Sequence, residues 1–542
     1  MNATRMAVGT MVALLVAGPL SGQQSGRGRP GNPATRGTMA SDTTPSDTTS
    51  QRTPPPGTKF LSVSDFPRSG ARGASGEGYK EMPPVDTTVV TQHTATIGGQ
   101  QIHYTATTGT YVIRDDSGAP KATFFFVAYT KNGVADVSHR PVAFVYNGGP
   151  GSASLFTQMG MGPKKVVLTP DGHGMPAPYR ITDNSDSFLD ATDLVFVDAI
   201  STGYSRPAPG QKPAQFYGVV QDANWFSDFI YQYVTRNERW NSPKFLIGES
   251  YGTTRSAELS GVLMNRHEMY LNGIVLLSSV AFAPWGEDDR TEFFLPGYVT
   301  TAWYHHLLAP DLQQQSLEQI AALARTFAHG EYAQALEQGD EISPAAYQKV
   351  VSDMARLTAL SPTYIEQSNL RVSPQRWFAE LLRNKREIVG RLDSRFTGYN
   401  RDAAGERAEY DPSEASYEGA FTATFLDYVR RDLHWNSNAF YTVTANVRPW
   451  DQTGGTEVAE TLRRAMTQEG SLKVLVLAGY YDFATPFNGI EETVSHMQLE
   501  PSVRKNIGFD YYAAGHMVYI DQKEHDKMHG DVDAFINSSY AH

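Results

Sequence analysis

The run of apolar segments predicts an α/β fold: a central, mostly parallel sheet, antiparallel strands before it, and an inserted, mainly helical cap. Three observations carry this. Short apolar runs recur, namely VAFVYN (142–147), LVFVD (194–198), KFLIG (244–248), IVLLSS (274–279) and VLVLAG (474–479), each ending in small or polar residues. Strands covered on both faces read as such continuous runs. Helical stretches, among them 219–239 and 257–269, lie between several of them, the alternation that builds right-handed crossovers. Finally, 40% of the 542 residues are hydrophobic and 19% charged, which suits a folded chain with a large core and not a disordered or coiled-coil one.

Taken in order, residues 1–22 read as a secretory signal peptide: a charged start at Arg5, an apolar stretch over 6–20 and small residues at Ser21-Gly22. That stretch falls short of the roughly 20 residues that cross a bilayer, and Gly18-Pro19 interrupts it. Cleavage and export to the periplasm or medium are therefore expected ahead of a membrane anchor. No cysteine occurs in the chain, so a lipoprotein anchor, disulfides, a thiolate nucleophile and zinc–thiolate sites are excluded. Residues 23–83, rich in Ser, Thr, Gly and Pro, read as a low-complexity linker that cannot offset its own ordering entropy. Over 85–130, Thr-, Val-, Tyr- and Phe-rich runs separated by Gly98-Gly99 and 115–118 predict an antiparallel meander.

The α/β core is expected over 84–283 and 451–542, closing on a helix over 522–538. The interval 284–450 breaks the rhythm. Its stretches QQSLEQIAALARTFAHGEYAQALEQG and SPQRWFAELLRNKREIVGRL read as helices. The formal charge of −12 argues against nucleic acid as a partner, and no later segment is apolar for long enough to span a membrane.

The chemistry-bearing motif is Gly248-Glu249-Ser250-Tyr251-Gly252, a G-x-S-x-G between a strand and a helix-like run. That context is what a nucleophile elbow requires; the alternative is an ordinary tight turn. An elbow serine needs an acid and then a histidine further along the chain. Asp482 follows VLVLAG by two residues, and His516 follows the strand-like IGFDYY, leaving room for one helix and one strand between them. Asp521 is the next candidate acid. Asn147-Gly148-Gly149-Pro150-Gly151 ends the strand VAFVYN, and backbone N–H groups exposed by such a turn, with that of Tyr251, could stabilise an oxyanion. The turn has no P-loop lysine. HDKMH (525–529) places two histidines one helical turn apart but offers no third ligand, and reads as a solvated polar helix face, not a metal site. No metal or cofactor is expected.

Together these motifs resemble the serine carboxypeptidases, exopeptidases of the α/β-hydrolase fold. NGGPGSAS (147–154), FVDAISTGYSRP (196–207), GESYG (248–252), GYYD (479–482) and AGHMV (514–518) stand in the family's order, and the resemblance runs from about residue 84 to the C-terminus. It implies Ser250 as nucleophile, Asp482 as orienting acid and His516 as general base. Gly149 and Tyr251 would form the oxyanion hole. Asn147, Gly148 and Glu249 would bind the terminal carboxylate of a peptide with a free C-terminus. A carboxyl group binds a carboxylate only when one of the two is protonated, which implies a preference for acid.

Four departures stand out. Ser152 replaces the family's cysteine, Tyr480 replaces the first Asp of its G-D-x-D loop, and Thr253-Thr254-Arg255 replaces the usual A-G-H-Y. The family's second recognising glutamate has no counterpart in 156–160, so a weaker acid preference is expected. The rival readings are an esterase or acyltransferase on the same scaffold, and a secreted binding module with an idle hydrolase fold.

Overall fold

The computed structural model describes residues 84–282, 287–455 and 457–540. The signal peptide and linker expected over 1–83 lie outside the described residues, as does the expected core–cap boundary at 283–286.

The apolar runs become one ten-stranded sheet. Three long antiparallel strands open it: β1 (Thr87–Ile97), β2 (Gln100–Arg114) and β3 (Pro120–Lys131). Six shorter strands follow: β4 (Val142–Tyr146), β5 (Asp193–Val197), β6 (Lys244–Glu249), β7 (Gly273–Leu277), β8 (Lys473–Gly479) and β9 (Ile507–Tyr512). The spatial order is β1-β2-β3-β5-β4-β6-β7-β8-β9, and the short strand Arg206–Pro207 pairs with β3. From β5 to β9 every pairing is parallel, while β3 meets β5 antiparallel. The mostly parallel sheet with antiparallel N-terminal strands is therefore as expected.

The sequence of β3 shows why its run is unbroken. Phe124 and Phe126 enter the apolar cluster on one face, with Phe144, Leu246, Phe229 and Leu263. Phe125 and Val127 enter the other, with Phe245, Leu277, Met528 and Ile536. Alternate side chains point to opposite faces, and both faces are covered by helices. The helices include α1 (Leu155–Met161), α2 (Val219–Arg236), α3 (Tyr251–His267), α4 (Glu287–Tyr304), α5 (Leu317–Phe327), α6 (Ala333–Gln338), α7 (Pro344–Thr358), α8 (Pro374–Glu380), α9 (Pro412–Arg431), α10 (Val458–Gln468), α11 (Phe487–His496) and α12 (Gln522–Tyr540).

Helices α4 to α8 share an apolar cluster of their own, built on Leu295, Tyr298, Ile320, Met354 and Trp377. Helix α9 does not join it: Tyr417, Phe421 and Phe425 pack into the cluster under the sheet. The helix read over SPQRWFAELLRNKREIVGRL is shorter than expected. Arg386 takes a left-handed conformation, φ 62°, and Ile388–Val389 then pairs antiparallel with Thr397–Gly398. Burial of Val389 in the same cluster outweighs the local helical pattern.

Candidate active site

Strand β6 ends at Glu249 and helix α3 begins at Tyr251, so Ser250 alone makes the turn. Its backbone sits at φ 61°, ψ −128°, a region that costs an L-residue about 1–3 kcal/mol. Neighbours hold it there. Ser250 N–H donates to Leu277 O at 3.0 Å, and Ser250 O accepts from Thr253 Oγ1 at 2.6 Å. The turn after β4 lies directly on this elbow, since a Cβ at Gly148 would come within 2.4 Å of Tyr251 N. Among the described residues neither the Gly149 nor the Tyr251 N–H has a backbone acceptor. Both remain available to an oxyanion.

The fold brings His516 and Asp482 together. His516 Nδ1 is 2.7 Å from Asp482 Oδ2, and both side chains are buried. Asp482 Oδ1 accepts from the Ala484 and Thr485 N–H groups at 2.7 and 3.1 Å. Burial pushes the His516 imidazole down, but the charge and hydrogen bond of Asp482 outweigh it and leave His516 above its usual value. The backbone of His516 is fixed from two sides: its N–H donates to Leu392 O at 2.7 Å, and its O accepts from Ser278 Oγ at 2.6 Å. Ser278 adjoins Leu277, the partner of Ser250, so the end of β7 ties the histidine loop to the elbow. His516 spends Nδ1 on Asp482 and Thr485, and no hydrogen bond joins its other nitrogen to Ser250. Such bonds commonly tighten only when substrate is present.

Asn147 and Glu249 also meet. Asn147 Nδ2 donates to Glu249 Oε1 at 2.6 Å, and Asn147 Oδ1 accepts from Thr157 N and Oγ1, both at 3.0 Å. Burial pushes Glu249 up to about 7; His516, Tyr519 and Asn147 restrain the rise, and Asp482 adds to it.

Several residues escaped sequence reasoning. Thr485 Oγ1 donates to Asp482 Oδ2 at 2.6 Å and lies 3.2 Å from His516 Nδ1. Arg255, noted only as a departure, is 1% exposed. It pairs with Asp222 at 2.7 Å and donates to Asn147 O at 2.9 Å, so it supports the Asn147 turn from beneath. In the sequence it shows only as a charged residue shortly after the elbow. Tyr480 stacks on Tyr511, with ring centroids 5.6 Å apart. Asp521 is engaged elsewhere, 2.8 Å from Arg395.

The HDKMH reading needs correction. This face of α12 is not solvated but packed on residues 184–193. His525 is 1% exposed, with Nδ1 3.7 Å from Asp186, and His529 lies 3.0 Å from Asp190 and 3.5 Å from Asp533. Asp186 and Asp190, distant in sequence, and Asp533, one turn further along α12, are these neighbours; donor atoms of Asp190, His529 and Asp533 lie within 4.8 Å of one another. Burial lowers His529, but its two carboxylates outweigh that. Asp190 leads into the start of β5, at the end of the parallel strands opposite Ser250.

The serine carboxypeptidase family model matches residues 99–535. No curated protein sequence matches the chain. Among solved structures, the prohormone-processing carboxypeptidase Kex1 of Saccharomyces cerevisiae is similar at TM-score 0.52 and 16% identity, over 80% of this chain and 92% of that one. A soluble variant of the monoglyceride lipase of Saccharomyces cerevisiae aligns at TM-score 0.36 and 10% identity, over 80% and 96%. The first of these likenesses shows the α/β-hydrolase fold. With the family model spanning most of the chain on that fold, the protein belongs to the serine carboxypeptidase family of hydrolases.

Proposed function

We propose that the protein is an exported serine-type carboxypeptidase that releases C-terminal residues from peptides through an acyl-enzyme. Ser250 Oγ attacks the scissile carbonyl carbon while His516 takes the hydroxyl proton. The carbonyl oxygen, now negative, accepts from the Gly149 and Tyr251 N–H groups. The C–N bond breaks as His516 passes the proton to the leaving amine, which departs as the free amino acid. Water, deprotonated by His516, then cleaves the acyl ester and restores Ser250. Asp482 orients the imidazole and stabilises its cation. The mechanism calls on no metal or cofactor.

The observation that carries exopeptidase over general esterase chemistry is the buried Asn147–Glu249 pair, one residue from the nucleophile. With Glu249 pushed up to about 7, it is protonated in mild acid and can donate to the terminal carboxylate of the substrate. Export rests on the signal-peptide pattern of residues 1–22. Among the described residues no helix is long and apolar enough to cross a membrane.

The test compares matched free-acid and amidated peptides, with products sequenced from both ends, after active-site labelling by a fluorophosphonate. Single residues should leave from the free-acid C-terminus, and amidation should raise KM. Identical handling of both peptides would move the esterase or acyltransferase reading ahead, and failure to label would favour the idle binding module.

A further inference from the structure

The stretch 156–160 holds no second glutamate, and a residue from elsewhere in the chain packs against it. Gly160 lies in α1, and a Cβ there would come within 2.2 Å of the Tyr519 ring. The glycine therefore leaves the room that this ring fills. Tyr519 belongs to the short turn Val518–Ile520 that follows His516, and it is 4% exposed. Its hydroxyl lies beside Glu249 and Asn147. Tyr519 Oη and Glu249 Oε2 are both buried, yet neither completes a hydrogen bond of ordinary geometry. An unspent donor thus stands next to an unspent acceptor, and leaving both unused at full burial is costly. Asn147 already occupies Oε1. The other titratable groups that face Glu249 are His516 and Asp482 of the triad and Tyr417 of α9.

We propose that Tyr519 is a positioning residue for carboxylate recognition, its phenol holding Glu249 against Asn147 in place of a second carboxylic acid. This rests on the carboxypeptidase reading above. The chemistry differs from that of an acid pair. Two carboxyl groups in contact share a proton, and one of them is pushed strongly up. A phenol stays protonated across the neutral range, and burial with the Glu249 charge raises Tyr519 further. It donates to Glu249 when the carboxylate is ionised and accepts from it when protonated. Glu249 can therefore change state without losing its orientation, and it ionises at lower pH than it would beside a bare ring.

Tyr519→Phe keeps the ring in the space left by Gly160 and removes only the hydroxyl. The carboxyl stretch of Glu249, assigned by its loss in Glu249→Gln, is titrated by infrared difference spectroscopy without substrate. The expected result is a midpoint raised by about one pH unit in Tyr519→Phe. The alkaline limb of kcat/KM for free-acid peptides should move with it, and that for amidated peptides less. An unchanged midpoint overturns the proposal. Gly160→Ala, which drives the ring from its seat, must shift the midpoint the same way, and it serves should Tyr519→Phe fail to fold. If wild type instead treats acid and amide peptides alike while the midpoint still moves, the carboxypeptidase reading falls and the Tyr519–Glu249 coupling stands.

Discussion

Ser250 is held at φ 61° by bonds from its own backbone, not by its hydroxyl, so Ser250→Ala should leave the fold intact. The covalent route would be lost, and kcat should fall by about four orders of magnitude or more. Active-site titration and turnover assays check this; a variant keeping a tenth of the wild-type rate would remove Ser250 from the mechanism. Glu249 makes a second prediction, on stability. Its folded value of about 7 stands above the ordinary 4.5. Between those values the folded protein keeps a proton that the unfolded chain has released, so stability falls as pH rises through that window. From this group alone the fall amounts to roughly 3 kcal/mol. Glu249→Gln should remove it, and urea unfolding across the window would show the variant gaining on wild type as pH rises. In the proposed mechanism the signs oppose: Glu249 would have to hold its proton and His516 to be neutral, which predicts a bell-shaped kcat/KM. Glu249→Gln should flatten its alkaline limb.

The elements around the site explain what the sequence made legible. The elbow is local: strand, serine and helix are contiguous, so G-x-S-x-G in that setting sufficed. Asp482 and His516 each close a strand of the same sheet and were legible for the same reason. Arg255 and Tyr519 were not, because each acts through residues far away in sequence, namely Asp222 and Asn147 O, and Glu249; Thr485 bonds Asp482 three residues before it, but only the fold sets it beside His516. The turn 147–154 is held by supports of the same kind. Ser152, in the place of the family's cysteine, forms a backbone bridge to Thr444, and Arg255 holds Asn147 O from below. Removing one partner of a buried ion pair leaves the other charge uncompensated. Arg255→Met should therefore cost about 3–5 kcal/mol in urea unfolding, and Asp222→Leu combined with it should restore part of that loss. Activity should stay low in the double variant, because neither of the substituted apolar side chains can donate to Asn147 O. Full activity there would show that the turn holds itself.

At the scale of the molecule, the acid loop and the helices expected to form the cap share one apolar cluster. Phe483, the residue after Asp482, is 3% exposed and sits among Leu295, Tyr298 and Trp377. Its ring lies 4.7 Å from Trp377 and 5.5 Å from Tyr298. Phe483 N–H donates to Arg391 O, and the neighbouring Leu392 O accepts from His516 N. The interval 287–389 thus packs on the residue after the acid, and the segment that follows it bonds the loops of both the acid and the histidine, contacts invisible in a sequence where these segments lie far apart. Phe483→Ala and Trp377→Ala each empty the same cluster and should each cost about 3–5 kcal/mol, with faster proteolysis within 295–389. They should differ in catalysis. Phe483→Ala loosens the residue bonded to Asp482 through the chain, whereas Trp377→Ala leaves that loop its own anchors, Ala484 N and Thr485 N on Asp482 Oδ1. Measured well below their unfolding transitions, Phe483→Ala should lose about tenfold more kcat than Trp377→Ala, with KM changed alike in both. Equal losses of kcat would mean that the cap acts on the substrate pocket alone and not through the triad.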